Sequence, residues 1–130
     1  MKRMRISLVL VIWAALLVPN GIAVERPVAN TGVASWYGEE HRGKLMANGH
    51  KFDPDKLTAA SWFYPLGTRL RVITRTHPQR SVVVTVTDRG PAHRYVRKGR
   101  IIDLAHAAFK RLAAPDRGLV PVMVVELAED

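Results

Sequence analysis

Short β-forming runs, each stopped within a few residues by Gly, Pro or Asp, dominate this chain and leave little room for long helices. The most decided is Ser81 to Thr87, SVVVTVT. β-Branched side chains crowd the turns of a helix but pack well on a pleated surface, so this stretch is predicted as a strand that ends at Asp88-Arg89-Gly90-Pro91. Arg69-Leu70-Arg71-Val72-Ile73 alternates polar and apolar residues at the strand period. Thr74 to Arg80, with His77-Pro78, must turn the chain between these runs, which predicts a hairpin whose loop exceeds the tightest type. A first strand is expected from Thr31, where TGVASWYG halts at Gly38, and a last over Leu119 to Leu127, with Pro121 placing its start at a sheet edge or entry turn. One helix is expected late in the chain. Leu104, Ala107, Ala108 and Leu112 recur at helical spacing, Lys110 and Arg111 sit near the C-terminal end, and Asp103 occupies the N-cap place. A short turn or helix is expected over Pro54 to Ala60, with Asp53 before Pro54 as its cap. The fold class is therefore mainly β, a small barrel with a short helical insertion rather than a βαβ sheet.

The first 23 residues read as an export signal: Lys2, Arg3 and Arg5 precede an apolar run from Ser7 to Val18, and Gly21-Ile22-Ala23 forms a small-x-small cleavage site. That run is about 12 residues long, short of the roughly 20 that span a bilayer, so no stable membrane anchor is expected after cleavage. Residues 24–30 are expected as a flexible lead-in and 31–128 as one barrel domain. There is no cysteine, which removes disulfides, thiolate metal sites and the lipidated cysteine of a lipoprotein. A free, monomeric periplasmic protein is the expectation. Losing Lys2, Arg3 and Arg5 takes the formal charge from +9 to +6. Such a surface attracts polyanions, and outside the cytoplasm these are envelope carboxylates and phosphates, not nucleic acid.

The sequence contains no GxxxxGK, GxGxxG, HExxH or GxSxG, so nucleotide, zincin and serine-hydrolase chemistry has no support. Its five histidines lack ligand spacing, and neither a metal site nor a cofactor is expected. Carboxylates remain. Asp88, at the end of an apolar strand, is mounted as a preorganised catalytic group would be, and equally as a residue capping its own turn. Arg89 beside it suits a carboxylate partner or an anion clamp. Asp53 and Asp103 stand where helix caps are favoured, so each reads as cap or as catalyst. Trp36 and Tyr37, with Trp62, Phe63 and Tyr64, offer rings that pack on sugar C–H faces or fill a core. Arg42 to Lys51, RGKLMANGHK, reads as a substrate-side loop or a solvated turn.

Taken together, GVASWYG (32–38), ANGxxFD (47–53), LTAA (57–60), PLGTRLRV (65–72), RSVVVTVTDRGP (80–91) and GRIIDLAHAAFKRL (99–112) resemble the rare lipoprotein A family, in order and near-spacing. The resemblance spans nearly the whole mature chain. It implies a six-stranded double-psi β-barrel, shared with expansins and family-45 endoglucanases, and a lytic transglycosylase that cuts peptidoglycan glycan strands and leaves 1,6-anhydro-muramoyl ends. Asp88 matches the family's essential Asp in D-R-G-P, whereas Ile102-Asp103-Leu104 resembles the F-D-L block where expansins and endoglucanases keep a key Asp. Members usually carry Glu where this chain has His50 and His where it has Ser61. Asp88 is therefore expected as the group that donates and then takes the proton, with Asp103 supporting or replacing it and His50 and Asp53 joining in catalysis, and Trp36, Tyr37, Asn48, Trp62, Tyr64 and Arg89 are expected to contact substrate. The two departures equally suit an expansin-like barrel that binds the wall without cutting it. A weaker third reading is an interaction protein or inhibitor that uses the basic loop.

Overall fold

The computed structural model describes residues 29–129; the expected export signal and the lead-in as far as Val28 lie outside the described residues. Six strands, β1 (Ala29–Tyr37), β2 (Thr58–Ala60), β3 (Arg69–Thr74), β4 (Ser81–Asp88), β5 (Arg100–Ala105) and β6 (Val120–Glu126), close a barrel in the order β1-β5-β2-β4-β3-β6. The β1–β5 and β2–β4 pairs are parallel and the other four antiparallel. Closure removes the open edges that such short strands would otherwise expose. Two short helices, α1 (His93–Val96) and α2 (His106–Lys110), flank β5.

Alternation decides which side chains fill the barrel. Leu70 and Val72 of β3, Val82, Val84 and Val86 of β4, and Val120, Val122 and Val124 of β6 are buried in one cluster, while Arg69 and Arg71 point out. Phe109 of α2 is fully buried in the same cluster with Ala108 and Leu112. Each such side chain contributes roughly 1.5–3 kcal/mol relative to exposure. The expected β3–β4 hairpin is present, paired from Arg69–Thr85 to Ile73–Ser81. Pro121 stands one residue before β6 begins to pair with β3 at Val122–Thr74, and its carbonyl takes the Arg75 N–H.

Three expectations change. β1 begins at Ala29, two residues ahead of Thr31, because Ala29 and Asn30 pair with Val125 and Val124 of β6. The helix expected after Asp103 starts only at His106, and Asp103 is no cap: it lies inside β5, paired with Ser35 on one side and Ala60 on the other. Ladder bonds to both neighbours outweigh the helical propensity of Leu104 and Ala105. Finally, Pro54 to Leu57 turns as expected, but Thr58–Ala60 is strand, held between β4 and β5.

Candidate active site

Four residues stand in one register row across neighbouring strands: Ser35 pairs with Asp103, Asp103 with Ala60, and Ala60 with Asp88. Residues in register share a face, and the adjacent row, Trp36–Leu104–Ala59–Val86, supplies the barrel core. The carboxylates are therefore on the opposite face, two strand spacings or about 10 Å apart at Cα. The small Ala60 stands between them and is itself buried, 2% exposed.

The chain from Gly38 to Asp53 folds over this row. Tyr37, two residues beyond Ser35, stacks on Phe52 with ring centroids 4.1 Å apart and 16° between planes. Met46, Phe52 and Ala105 form a small outer cluster beneath it. The Tyr37 hydroxyl lies 3.5 Å from Asp88 Oδ2. Burial foremost, then the charges of Asp88 and Asp103, raise the phenol far above its ordinary range, so it stays a donor. Asp88 Oδ1 accepts the backbone N–H groups of Ala47 and Arg89, each at 2.9 Å. Asp103 Oδ1 accepts the Ser35 hydroxyl at 3.3 Å. Burial pushes the Asp103 carboxyl up to about 6, and Asp88 acts the same way, against the Ser35 bond and the charges of Arg100 and His41.

His41 was not singled out by the sequence, yet it is the imidazole at this cluster. A 3-10 turn over Glu39–His41 returns the chain over Tyr37, and the His41 ring meets the Tyr37 ring edge-on at 5.6 Å. His50 instead lines a groove of about 360 Å³ with Asn48, Lys51, Asp53, Lys56 and Thr87, and Asp88 is not among its walls.

The remaining expected residues divide. Asp53 Oδ1 accepts the Asp55 N–H at 2.9 Å and faces Arg42, which also pairs with Glu39 and Asp55. Asn48 uses Oδ1 to hold the His50 N–H at 3.0 Å. Trp36 packs on the core, donates its indole N–H to the Pro115 carbonyl and meets the His106 ring at 4.7 Å. Tyr64 also packs on the core, its hydroxyl bonded to Asn30 at 2.6 Å. Arg89 clamps a loop: its guanidinium donates to the Ser61 and Tyr64 carbonyls, both at 2.7 Å. That loop presents Trp62 and Phe63, 43% and 50% exposed, and Trp62 stacks on His93 at 4.4 Å.

Comparison with known proteins meets this geometry. The lytic transglycolase family, a family of double-psi β-barrels, matches residues 29–124. The chain belongs to that family. The lytic transglycolase relatives include the probable endolytic peptidoglycan transglycosylase RlpA of Nostoc sp., 41% identical over 82% of this chain, and the endolytic peptidoglycan transglycosylase RlpA of Yersinia pestis, 42% identical over 76%. The chain spans 28% and 26% of the lengths of those two proteins. An uncharacterized protein of Synechocystis sp. is 40% identical over 72% of this chain and 94% of its own. Among solved structures, the Streptomyces papain inhibitor superposes with a TM-score of 0.61 at 25% identity, covering 82% of this chain and all of that one. The expansin of Clavibacter michiganensis gives 0.59 at 23% identity over 79% of this chain and 52% of its own, a likeness of fold. Within this lytic transglycolase barrel Ser61, where rare lipoprotein A members usually carry His, is 1% exposed. Its hydroxyl holds the Phe63 N–H at 3.0 Å, so the position braces the loop.

Proposed function

We propose that this barrel is an endolytic peptidoglycan transglycosylase, exported to the periplasm and acting as a monomer on glycan strands, with Asp103 as its acid and base. The observation that carries the reading is the register row that sets Asp103 and Asp88 on one face, with the Asp103 carboxyl raised to about 6. A carboxylic acid still partly protonated near neutral pH can protonate the oxygen that links muramoyl C1 to the next sugar. As the C1–O bond breaks, positive charge develops at C1 and the ring oxygen. Asp88, an acceptor of three hydrogen bonds, supplies the facing negative charge. The ionised Asp103 then takes the proton of the muramoyl C6 hydroxyl, O6 closes on C1, and the 1,6-anhydro ring forms. Asp103 ends protonated as it began, and no water is consumed.

Names carried by relatives support the reaction class: the Nostoc and Yersinia proteins are named as endolytic peptidoglycan transglycosylases. The decisive experiment incubates the purified protein, its Asp88→Ala and its Asp103→Asn variants with intact and amidase-stripped peptidoglycan and reads soluble fragments by mass spectrometry. Anhydro-muramoyl ends from the parent, lost in both variants, are expected. Pelleting with the sacculus while releasing nothing overturns the enzyme in favour of a wall-binding barrel, the reading that His50 and Ser61 favour.

A further inference from the structure

The loop that leaves β2 next to the carboxylate row carries exposed aromatic rings that the reaction just described does not use. Trp62 lies two residues past Ala60, so its Cα is within about 7 Å of the carboxylate row. Its orientation is fixed three times over. The indole N–H donates to the Pro91 carbonyl at 2.7 Å, the ring lies on His93 with 27° between planes, and the loop beneath is clamped by Arg89 and by the Ser61 N–H on the Asp88 carbonyl. Yet Trp62 stays 43% exposed. A ring already held rigid at the surface loses little further freedom when a ligand settles on it.

Next to the stack comes a basic segment. Arg94 and Arg100 place their guanidinium groups 4.6 and 4.1 Å from the centre of the Tyr95 ring, and Arg97 and Lys98 follow in exposed positions. Among the described residues, every ion pair to a carboxylate is made by Arg42 or His41, so these four cations have none. The segment also leads back to the reacting groups, since the charge of Arg100 acts on Asp103.

We propose that Trp62 and His93 form a sugar platform one ring away from the carboxylate pair, and that Arg94, Arg97 and Lys98 bind a carboxylate carried by that sugar. The ligand is a muramoyl ring, whose lactyl group is a free carboxylate once its stem peptide is removed; with the peptide attached, the peptide's own carboxylates are the only such groups. The assignment rests on glycan strands being the substrate. It makes Trp62 and the basic segment determinants of specificity, with no part in proton transfer.

The test is calorimetric binding of the full mature protein to three soluble polymers: amidase-stripped glycan strands, the same strands with stem peptides, and neutral N-acetylglucosamine oligomers. The Asp103→Asn background prevents turnover. Trp62→Ala is expected to weaken binding to all three about tenfold, and Trp62→Phe to recover most of it. The triple variant Arg94→Ala, Arg97→Ala, Lys98→Ala is expected to weaken stripped strands only, and to abolish the loss of affinity on raising salt. Equal weakening on the strands with stem peptides assigns the cations to peptide carboxylates and overturns the lactyl assignment. Trp62→Ala binding like the parent overturns the platform while the glycan reading stands. A parent that binds none of the polymers overturns both.

Discussion

The Tyr37 hydroxyl reaches Asp88 Oδ2 across 3.5 Å while the same ring lies flat on Phe52. One side chain thus joins the outer hydrophobic cluster to the carboxylate row. Tyr37→Phe keeps the stack and deletes only the long hydrogen bond, so stability should change by no more than about 1 kcal/mol. Cleavage should fall about tenfold, the equivalent of roughly 1.4 kcal/mol of lost orientation at Asp88. Thermal melts beside initial rates of anhydro-end release separate the two effects.

Asp103 ties stability to pH with a definite sign. Its carboxyl moves from 3.8 up to about 6 on folding, so the folded protein holds the proton more tightly than the unfolded chain does. The contribution is fully present below about pH 4 and is lost as pH rises through about 6, on the order of 2–3 kcal/mol in all. Asp103→Asn should therefore match the parent near pH 3.5 and exceed its stability above pH 7, in urea titrations at the two pH values. Its glycan cleavage should be absent at both, and the parent's rate should decline above pH 6 as the acid ionises.

The core itself supplies a check on the fold. Phe109 is fully exposed to other core side chains and not at all to solvent, and it enters the barrel cluster from a helix of only five residues. Phe109→Ala should cost about 3–5 kcal/mol through lost burial and the cavity left behind. Equilibrium unfolding reads it.

Much of this architecture was legible because Arg69 to Ile73 alternates polar and apolar residues at the strand period and Ser81 to Thr87 is a β-branched run, patterns that suit a pleated surface better than a helix. β2 was not legible: Thr-Ala-Ala is three residues long and becomes a strand only because β4 and β5 pair with it. Asp103 was recognised as a candidate but given the wrong local structure, since the Leu104, Ala107, Ala108 and Leu112 spacing is helical while the register is decided by Ser35, 68 residues away in the chain. Asp88 was placed correctly at a strand end. His41 carried no signal of its own, because its position depends on a 3-10 turn and on where Tyr37 points.

Arg89 looks from sequence like a partner for Asp88 or an anion clamp, but its guanidinium is spent on the Ser61 and Tyr64 carbonyls. Lysine carries a charge there without the planar fork that reaches both carbonyls. Arg89→Lys should therefore loosen the 61–64 loop, costing on the order of 1–3 kcal/mol. Amide hydrogen exchange should rise at Phe63, while the Asp88 bond to the Ala47 N–H persists.

His41 is one of several groups that act on the Asp103 proton, after burial, the Ser35 hydrogen bond and Arg100. Its ring is edge-on to Tyr37, its Nδ1 is 3.4 Å from Glu40 Oε1, and its charge lowers the Asp103 carboxyl against the dominant effect of burial. Replacing it by phenylalanine keeps an aromatic edge on Tyr37 and removes the charge. The Asp103 proton should then be held to higher pH, and the alkaline limb of the cleavage profile should move upward with it. Carbon-detected titration of the Asp103 carboxyl provides the same reading without turnover. An upward move in both measurements makes His41 a positioning residue acting through Asp103, whereas a fall in rate at every pH with the titration unmoved would mean that the imidazole itself touches the substrate.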